Sequence, residues 1–178
     1  MEKLNGSELL DEYTSGRRDF SEIDLSEAYL FQADLREIDI AGGNLQKIYL
    51  PYANLSQANL HSCQLQAAQL SDTQLQQANL SHADLQEANL FRANLRHANL
   101  RGANLAGANL QGADLYNADL SFANLSNTDF RKAKLNKANL EKAKLTGSNF
   151  FLALNVNFSN AYLDETTIYP DGHREFEV

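Results

Sequence analysis

From Phe20 to Phe150 every fifth residue of the chain is Leu, Ile or Phe, 27 positions without an exception. Two residues before each of these, from Ile23 to Ser148, lie 26 positions, and Ala fills 18 of them. Gly43, Cys63, Thr73, Thr128 and Ser148 fill five more, and Ile23, Ile38 and Ile48 the remaining three. The residue between is mostly Asn or Asp, as in Ala88-Asn89-Leu90 and Ala113-Asp114-Leu115. The unit is therefore small, Asx, Leu, variable, variable, uninterrupted for about 130 residues. A period of five fits neither regular element. On an α-helix, steps of ~100° per residue would spread the Leu side chains around every side. In a continuous strand an odd period would send alternate Leu residues to opposite faces. A bend in every unit resolves this. The small residue and the Leu, two apart, point the same way and inward, while the two variable residues turn the corner. Asn and Asp suit the turn because their side chains hydrogen-bond local backbone. Repeated bending closes a coil, and coils stacked ~4.8 Å apart satisfy each other's backbone groups.

This pattern resembles the pentapeptide-repeat family, whose motif is A(D/N)LXX, continuously over residues 20–150. The resemblance implies an all-β solenoid, a right-handed quadrilateral β-helix with four pentapeptides per coil and the Leu and small positions inside. Period alone does not distinguish four from three. On that reading the units make about seven coils, a rod of roughly 34 Å. Coils of this kind bury apolar surface only against neighbours, so both ends need covers. Residues 1–19 are read as an N-terminal helical cap, 20–150 as the β-helix and 151–178 as a C-terminal cap and tail. The segment Ser7-Glu8-Leu9-Leu10-Asp11-Glu12-Tyr13-Thr14-Ser15-Gly16 predicts a short helix with Ser7 as N-cap and Gly16 as stop. Leu9, Leu10 and Tyr13 would close the first coil. After Phe150 the five-residue spacing resumes at Phe158, Leu163 and Ile168, displaced by three, with Phe151-Leu152-Ala153-Leu154 supplying extra apolar residues. This segment reads as a cap, with an oligomer contact as the rival, so the chain is expected as a monomer or a C-terminal-mediated dimer.

Composition restricts the picture further. Only two Val and five Ile stand beside 29 Leu, 23 Ala and 19 Asn, against an ordinary β-branched sandwich or barrel. A single Cys leaves no internal disulfide framework. No apolar run approaches the ~20 residues of a membrane helix. The first residues lack the basic segment and apolar core of an export signal, so a cytoplasmic location is expected. The formal net charge of −8 is uneven. Residues 1–60 hold 5 basic and 11 acidic side chains, residues 121–178 seven of each. Phosphate backbones are bound chiefly through Lys and Arg, so direct nucleic-acid binding is not expected. Arg131, Lys132, Lys134, Lys137, Lys142 and Lys144 form a late basic group, read as a solvated surface without interleaved aromatics.

No catalytic constellation emerges. Gly102, Gly107 and Gly112 are corner residues, and Ala108-Asn109 follows Gly107 where a phosphate loop needs Lys and Ser or Thr. His61 and His82 share a side in adjacent coils, but zinc needs more ligands, and Cys63 occupies an inward small position. A catalytic carboxylate pair needs a cleft, which unbroken repeats do not supply. The chain is read as a non-enzyme with no cofactor and no metal. Two binding readings remain. Members resembling it of the quinolone-resistance type imitate DNA and bind gyrase. Here, however, the middle positions of one face read Asp24, Asn44, Gln64, Asp84, Asn104, Asn124, Lys144, and those of another Asp34, Asn54, Gln74, Asn94, Asp114, Lys134. Neither is an acidic stripe. The other reading is a protein-interaction module or scaffold of the short, uninterrupted kind that resembles cyanobacterial members. Tyr29 and Tyr49 replace Asx one coil apart beside Phe31, Pro51 and Tyr52, an outward aromatic group suited to anchoring a protein partner. Its rival role is a seat for the N-terminal helix or its linker.

Overall fold

Five backbone N–H groups per repeat must find acceptors, and the way they do so sets the architecture. In Ala88-Asn89-Leu90-Phe91-Arg92 the Ala88 N–H closes a turn onto the Leu85 carbonyl at 3.0 Å. Asn89 donates to the Ala68 carbonyl at 2.9 Å, Leu90 to that of Asn109 at 2.8 Å, and Arg92 to that of Gln111 at 2.9 Å. The fifth, that of Phe91, is accepted by the Asn89 side chain, Oδ1, at 3.2 Å. The chain therefore bonds to itself about twenty residues before and after. Parallel bridges join Asn89 to Gln69 and to Asn109, and the same step of twenty recurs through the repeats. Four pentapeptides thus complete one turn of a four-sided coil, as the family resemblance implied. The computed structural model describes residues 1–174; the last four residues of the expected tail lie outside the described residues.

Each corner is a two-residue turn whose second residue has a left-handed backbone, such as Arg92 at φ 56° and His82 at φ 58°. A positive φ at that place is the requirement of a type II turn. Gly102, Gly107 and Gly112 occupy it too, at φ 66°, 71° and 70°, so they are corner residues. Inside, the Leu and small positions form one continuous core, in which Ala88 and Leu90 are fully buried. Where a small position is polar, its donor reaches a carbonyl of the coil below. Thr73 Oγ1 donates to Leu50, Thr128 Oγ1 to Leu105 and Ser148 Oγ to Leu125.

The N-terminal end is closed by residues 2–4, which pair with Asp24, and by α1, Gly6–Thr14. The N-cap of α1 is Asn5, not Ser7: Asn5 Oδ1 accepts from the Ser7 and Glu8 N–H groups, and the Glu8 carboxylate accepts from the Asn5 N–H. Ser7 lost to a reciprocal capping box two residues earlier. Gly16 does end the helix. Its N–H donates to Tyr13 and that of Arg17 to Glu12, with Gly16 at φ 103°, a Schellman stop. Leu9 is fully buried, and Leu10 and Tyr13 pack beside it against the core.

At the other end the expected spacing is corrected. Ile168 is not an inward residue; it bridges Asn149 at a middle position. Thr167 holds the buried small place, its hydroxyl donating to the Leu145 carbonyl. The physical reason is a change of step: Lys144 bridges Tyr162, eighteen residues on, and Asn149 bridges Ile168, nineteen on. An aromatic train covers the last coil. Phe130 and Phe150 stack at 4.7 Å, Phe158 meets Phe150 edge-on at 5.1 Å, and Tyr169 meets Phe158 at 5.1 Å.

Candidate protein-interaction surface

Tyr29 and Tyr49 bridge one another across adjacent coils, so their rings leave the wall side by side. They stack with centroids 4.9 Å apart and planes 8° from parallel. Phe31 lies 6.3 Å from Tyr29 and 6.4 Å from Tyr49, and Tyr52 meets Phe31 edge-on at 5.8 Å. The group remains open to solvent: Tyr29 is 67% exposed and Tyr52 55%. Pro51, expected on the same surface, is buried. Its place is in the turn, where a fixed φ near −65° suits the first corner residue. It also lacks the N–H that an Asx side chain would cap, so Tyr can replace Asx at position 49 without stranding a donor.

The rival role for these rings, a seat under the N-terminal segment, is not what the structure has. The helix α1 starts beside the Tyr29 backbone, where a side chain at Gly6 would run into the Tyr29 carbonyl and Leu30. From there it crosses the end of the rod, and the Tyr13 hydroxyl donates to the Arg36 carbonyl at 2.8 Å. Capping is done by Leu4 and Leu9 in the core, which leaves the outward aromatics uncovered.

Other side chains were less legible from the sequence. The late basic group does have aromatic neighbours, contributed by earlier coils. Tyr116 lies between Arg96 at 4.5 Å and Lys137 at 5.5 Å, and Phe122 between Arg101 at 4.3 Å and Lys142 at 5.1 Å. The twenty-residue step, read vertically along a corner, is the signal that would have found them. These cations already rest on ring faces, and Arg96 also pairs with Asp114 at 3.2 Å. His61 and His82 approach edge-on at 5.8 Å, while His61 Nδ1 lies 2.8 Å from Ser81 Oγ. Among the described residues no three His, Cys, Asp or Glu side chains are grouped to hold a metal ion. Burial pushes the Cys63 thiol up to about 12, and it donates to the Ile40 carbonyl, a core residue rather than a nucleophile. Among the described residues no helix is long and apolar enough to cross a membrane.

A sequence model of pentapeptide repeats matches the chain over residues 44–77, 53–90, 68–105, 88–121 and 113–150. A search of curated proteins gives no match. Among solved structures, trypsin-treated QnrB1, a plasmid-mediated fluoroquinolone resistance protein, is 14% identical over 92% of this chain and 89% of its own, with a TM-score of 0.57. That likeness is one of fold. HetL, a pentapeptide repeat protein involved in heterocyst differentiation regulation from the cyanobacterium Nostoc sp. strain PCC 7120, is 26% identical over 97% of this chain and 100% of its own, with a TM-score of 0.44. Rfr23 from the cyanobacterium Cyanothece 51142 is 25% identical over 92% and 99%, again with a TM-score of 0.44.

Proposed function

The chain belongs to the pentapeptide-repeat family, and on that premise we propose that it is a non-enzymatic protein-interaction module. Its body is a right-handed quadrilateral β-helix of about seven coils, a stiff rod on which side chains are held in columns. The observation that carries the reading is the exposed aromatic group of Tyr29, Phe31, Tyr49 and Tyr52. Aromatic side chains offer a partner large contact area at little entropic cost, and they dominate the energy of many interfaces. Here the stack and the edge contact hold the rings in place before any partner arrives. Catalysis finds no comparable support. Among the described residues no carboxylate is buried, the inward hydroxyls are spent on carbonyls of neighbouring coils, and the buried thiol is held in its neutral form.

The test is a double substitution, Tyr49→Ser with Tyr52→Ser. Neither ring contributes to the core, so the melting temperature should stay within a degree or two of the parent. Capture of a protein partner from the native cell by the immobilised rod should be lost. A variant that melts much earlier would return the rings to a structural role. Unchanged capture with unchanged stability would remove the group from the binding surface.

A further inference from the structure

The aromatic group sits at one end of an edge that carries a phenylalanine at its middle and at each end. The edge is the corner that holds Phe31, Phe91 and Phe151 at its first position, each three coils from the next. Two coils below the centre stands Tyr52 and two coils above it Lys132, both at the second position of the turn with φ near 60°. One coil below the centre, Asp72 pairs with the central Arg92 at 3.1 Å. The exposed apolar side chains of this edge thus form two groups, one at each end. Phe31 and Tyr52 make the lower one; Phe151 and Leu152, 42% and 48% exposed, make the upper.

We propose that this edge is a self-complementary surface on which a second copy of the chain docks antiparallel, about a two-fold axis at Arg92. The proposal rests on the reading of the aromatic group as a binding surface and names its occupant. Turning one rod end over end maps the coil three below the centre onto the coil three above it. Phe31 of one copy then faces Phe151 of the other, and Tyr52 faces Lys132, a ring opposite a cation. Each contact occurs twice, as an isologous interface requires. Lys132 has no ion-pair partner in its own chain among the described residues, so the Tyr52 ring does not compete with one. At the axis the two Arg92 side chains approach with their charge already balanced, each by its own Asp72. The edge spans six coil steps, ~29 Å, and a contact along one corner buries on the order of 1,000 Å² in all. That is the size of a weak, transient interface.

Sedimentation equilibrium of the full chain from about 5 to 500 micromolar tests the association, and cysteine pairing tests its geometry. In a Cys63→Ala background, which gives a small inward position its commonest residue, Tyr52→Cys and Lys132→Cys are made as separate proteins. The expected result is reversible formation of a species of twice 19.8 kDa. Under mild oxidation the mixed proteins should form a Tyr52→Cys to Lys132→Cys disulfide at least tenfold faster than either protein joins to itself. Arg92→Cys alone should cross-link with itself. Tyr52→Ser should raise the dissociation constant at least tenfold, with an unchanged melting temperature showing that it is folded. A chain that stays monomeric throughout overturns the proposal, as does a dimer in which Lys132→Cys joins chiefly to itself, or one indifferent to Tyr52→Ser. A monomer that still captures a cellular partner through Tyr49 and Tyr52 overturns the self-association and leaves the binding surface standing.

Discussion

At the scale of the residue, one unmet donor explains the choice of Asn and Asp at the middle of each repeat. Four N–H groups reach backbone carbonyls, and the fifth is taken by the Asx oxygen two residues before it. Asn adds a second bond that Asp cannot. The Asn59, Asn79 and Asn99 amides each donate to the residue twenty before, at 3.0, 3.3 and 3.3 Å. Asp119 has no amide to continue that file, and Asn139 restarts it by donating to the Asp119 carboxylate at 3.1 Å. The sequence announced a turn-forming Asx; the vertical file was not legible, because it joins residues that only the coil closure brings together. Asn89→Ala removes the Phe91 cap, the donation to Gln69 and the acceptance from Asn109. It should cost about 1–3 kcal/mol in urea unfolding, whereas Asn89→Asp, which keeps the cap, should cost less. Asp24 yields a pH prediction. Hydrogen bonds from Ser26, with Lys3 adding charge, hold its carboxyl below the ordinary range. A depressed carboxyl stabilises the fold above its unfolded value near ~3.9, and the contribution is lost as pH falls through the lower folded value. Melting temperature should therefore decline below about pH 4. Asp24→Asn, which still accepts from Ser26 and Asn44 but carries no charge, should be less stable than the parent at pH 7, show a shallower decline in acid and converge with the parent there.

At the scale of the element, the two ends show how far local signals reach. A helix over the first residues was legible from Leu9, Leu10 and Tyr13 and from Gly16 as its stop. Its start was not: Asn5 and Ser7 both make good caps, and Glu8 decides between them by reaching back to the Asn5 N–H. The Phe158, Leu163, Ile168 spacing misled for a related reason. A five-residue period marks inward positions only while the step between coils stays at twenty, and near the C-terminus it shortens to eighteen and nineteen. The aromatic seat was undecided in the sequence because nothing local says where a capping helix runs. The position of Gly6 against the Tyr29 carbonyl settles its point of attachment and gives a prediction. Asn5→Ala should cost about 1 kcal/mol, the usual loss for a cap. Gly6→Ala should cost more, because its methyl cannot enter without lifting α1 off the first coil and uncovering Leu9. Differential melts of the two variants check the order. A Gly6→Ala protein as stable as the parent would show that the helix seats loosely.

At the scale of the whole molecule, the fold was legible because one rule repeats without interruption; a surface function was less so, because exposure and vertical neighbours depend on closure of the coil. The inside–outside assignment makes the plainest demand. Leu90→Ala opens a cavity between coils above and below and should cost about 2–5 kcal/mol, while Gln86→Ala at an exposed corner should change stability by less than about 0.5 kcal/mol. Charge makes a different one. Duplex DNA carries one negative charge for each ~1.7 Å of axis, so a rod of ~34 Å that imitated it would carry on the order of 20 along its binding sides. The bridges place Asp24, Asn44, Gln64, Asp84, Asn104, Asn124 and Lys144 in one column, and Asp34, Asn54, Gln74, Asn94, Asp114 and Lys134 in another. Both run from acid to base through mostly neutral amides. The acids gather instead around the first coil, in Asp19, Glu22, Asp24, Glu27, Asp34, Glu37 and Asp39, with Asp24 and Asp34 partly matched by Lys3 and Arg36. A surface of this kind repels cationic DNA-binding grooves less than a basic one would, but it lacks the length of charge needed to fill one. Purified protein at micromolar concentration should therefore leave gyrase supercoiling unchanged and give no relief from quinolone poisoning. Dose-dependent inhibition that disappears with added salt would show that a ring of acids at one end is enough, and would move the function from scaffold to DNA mimic.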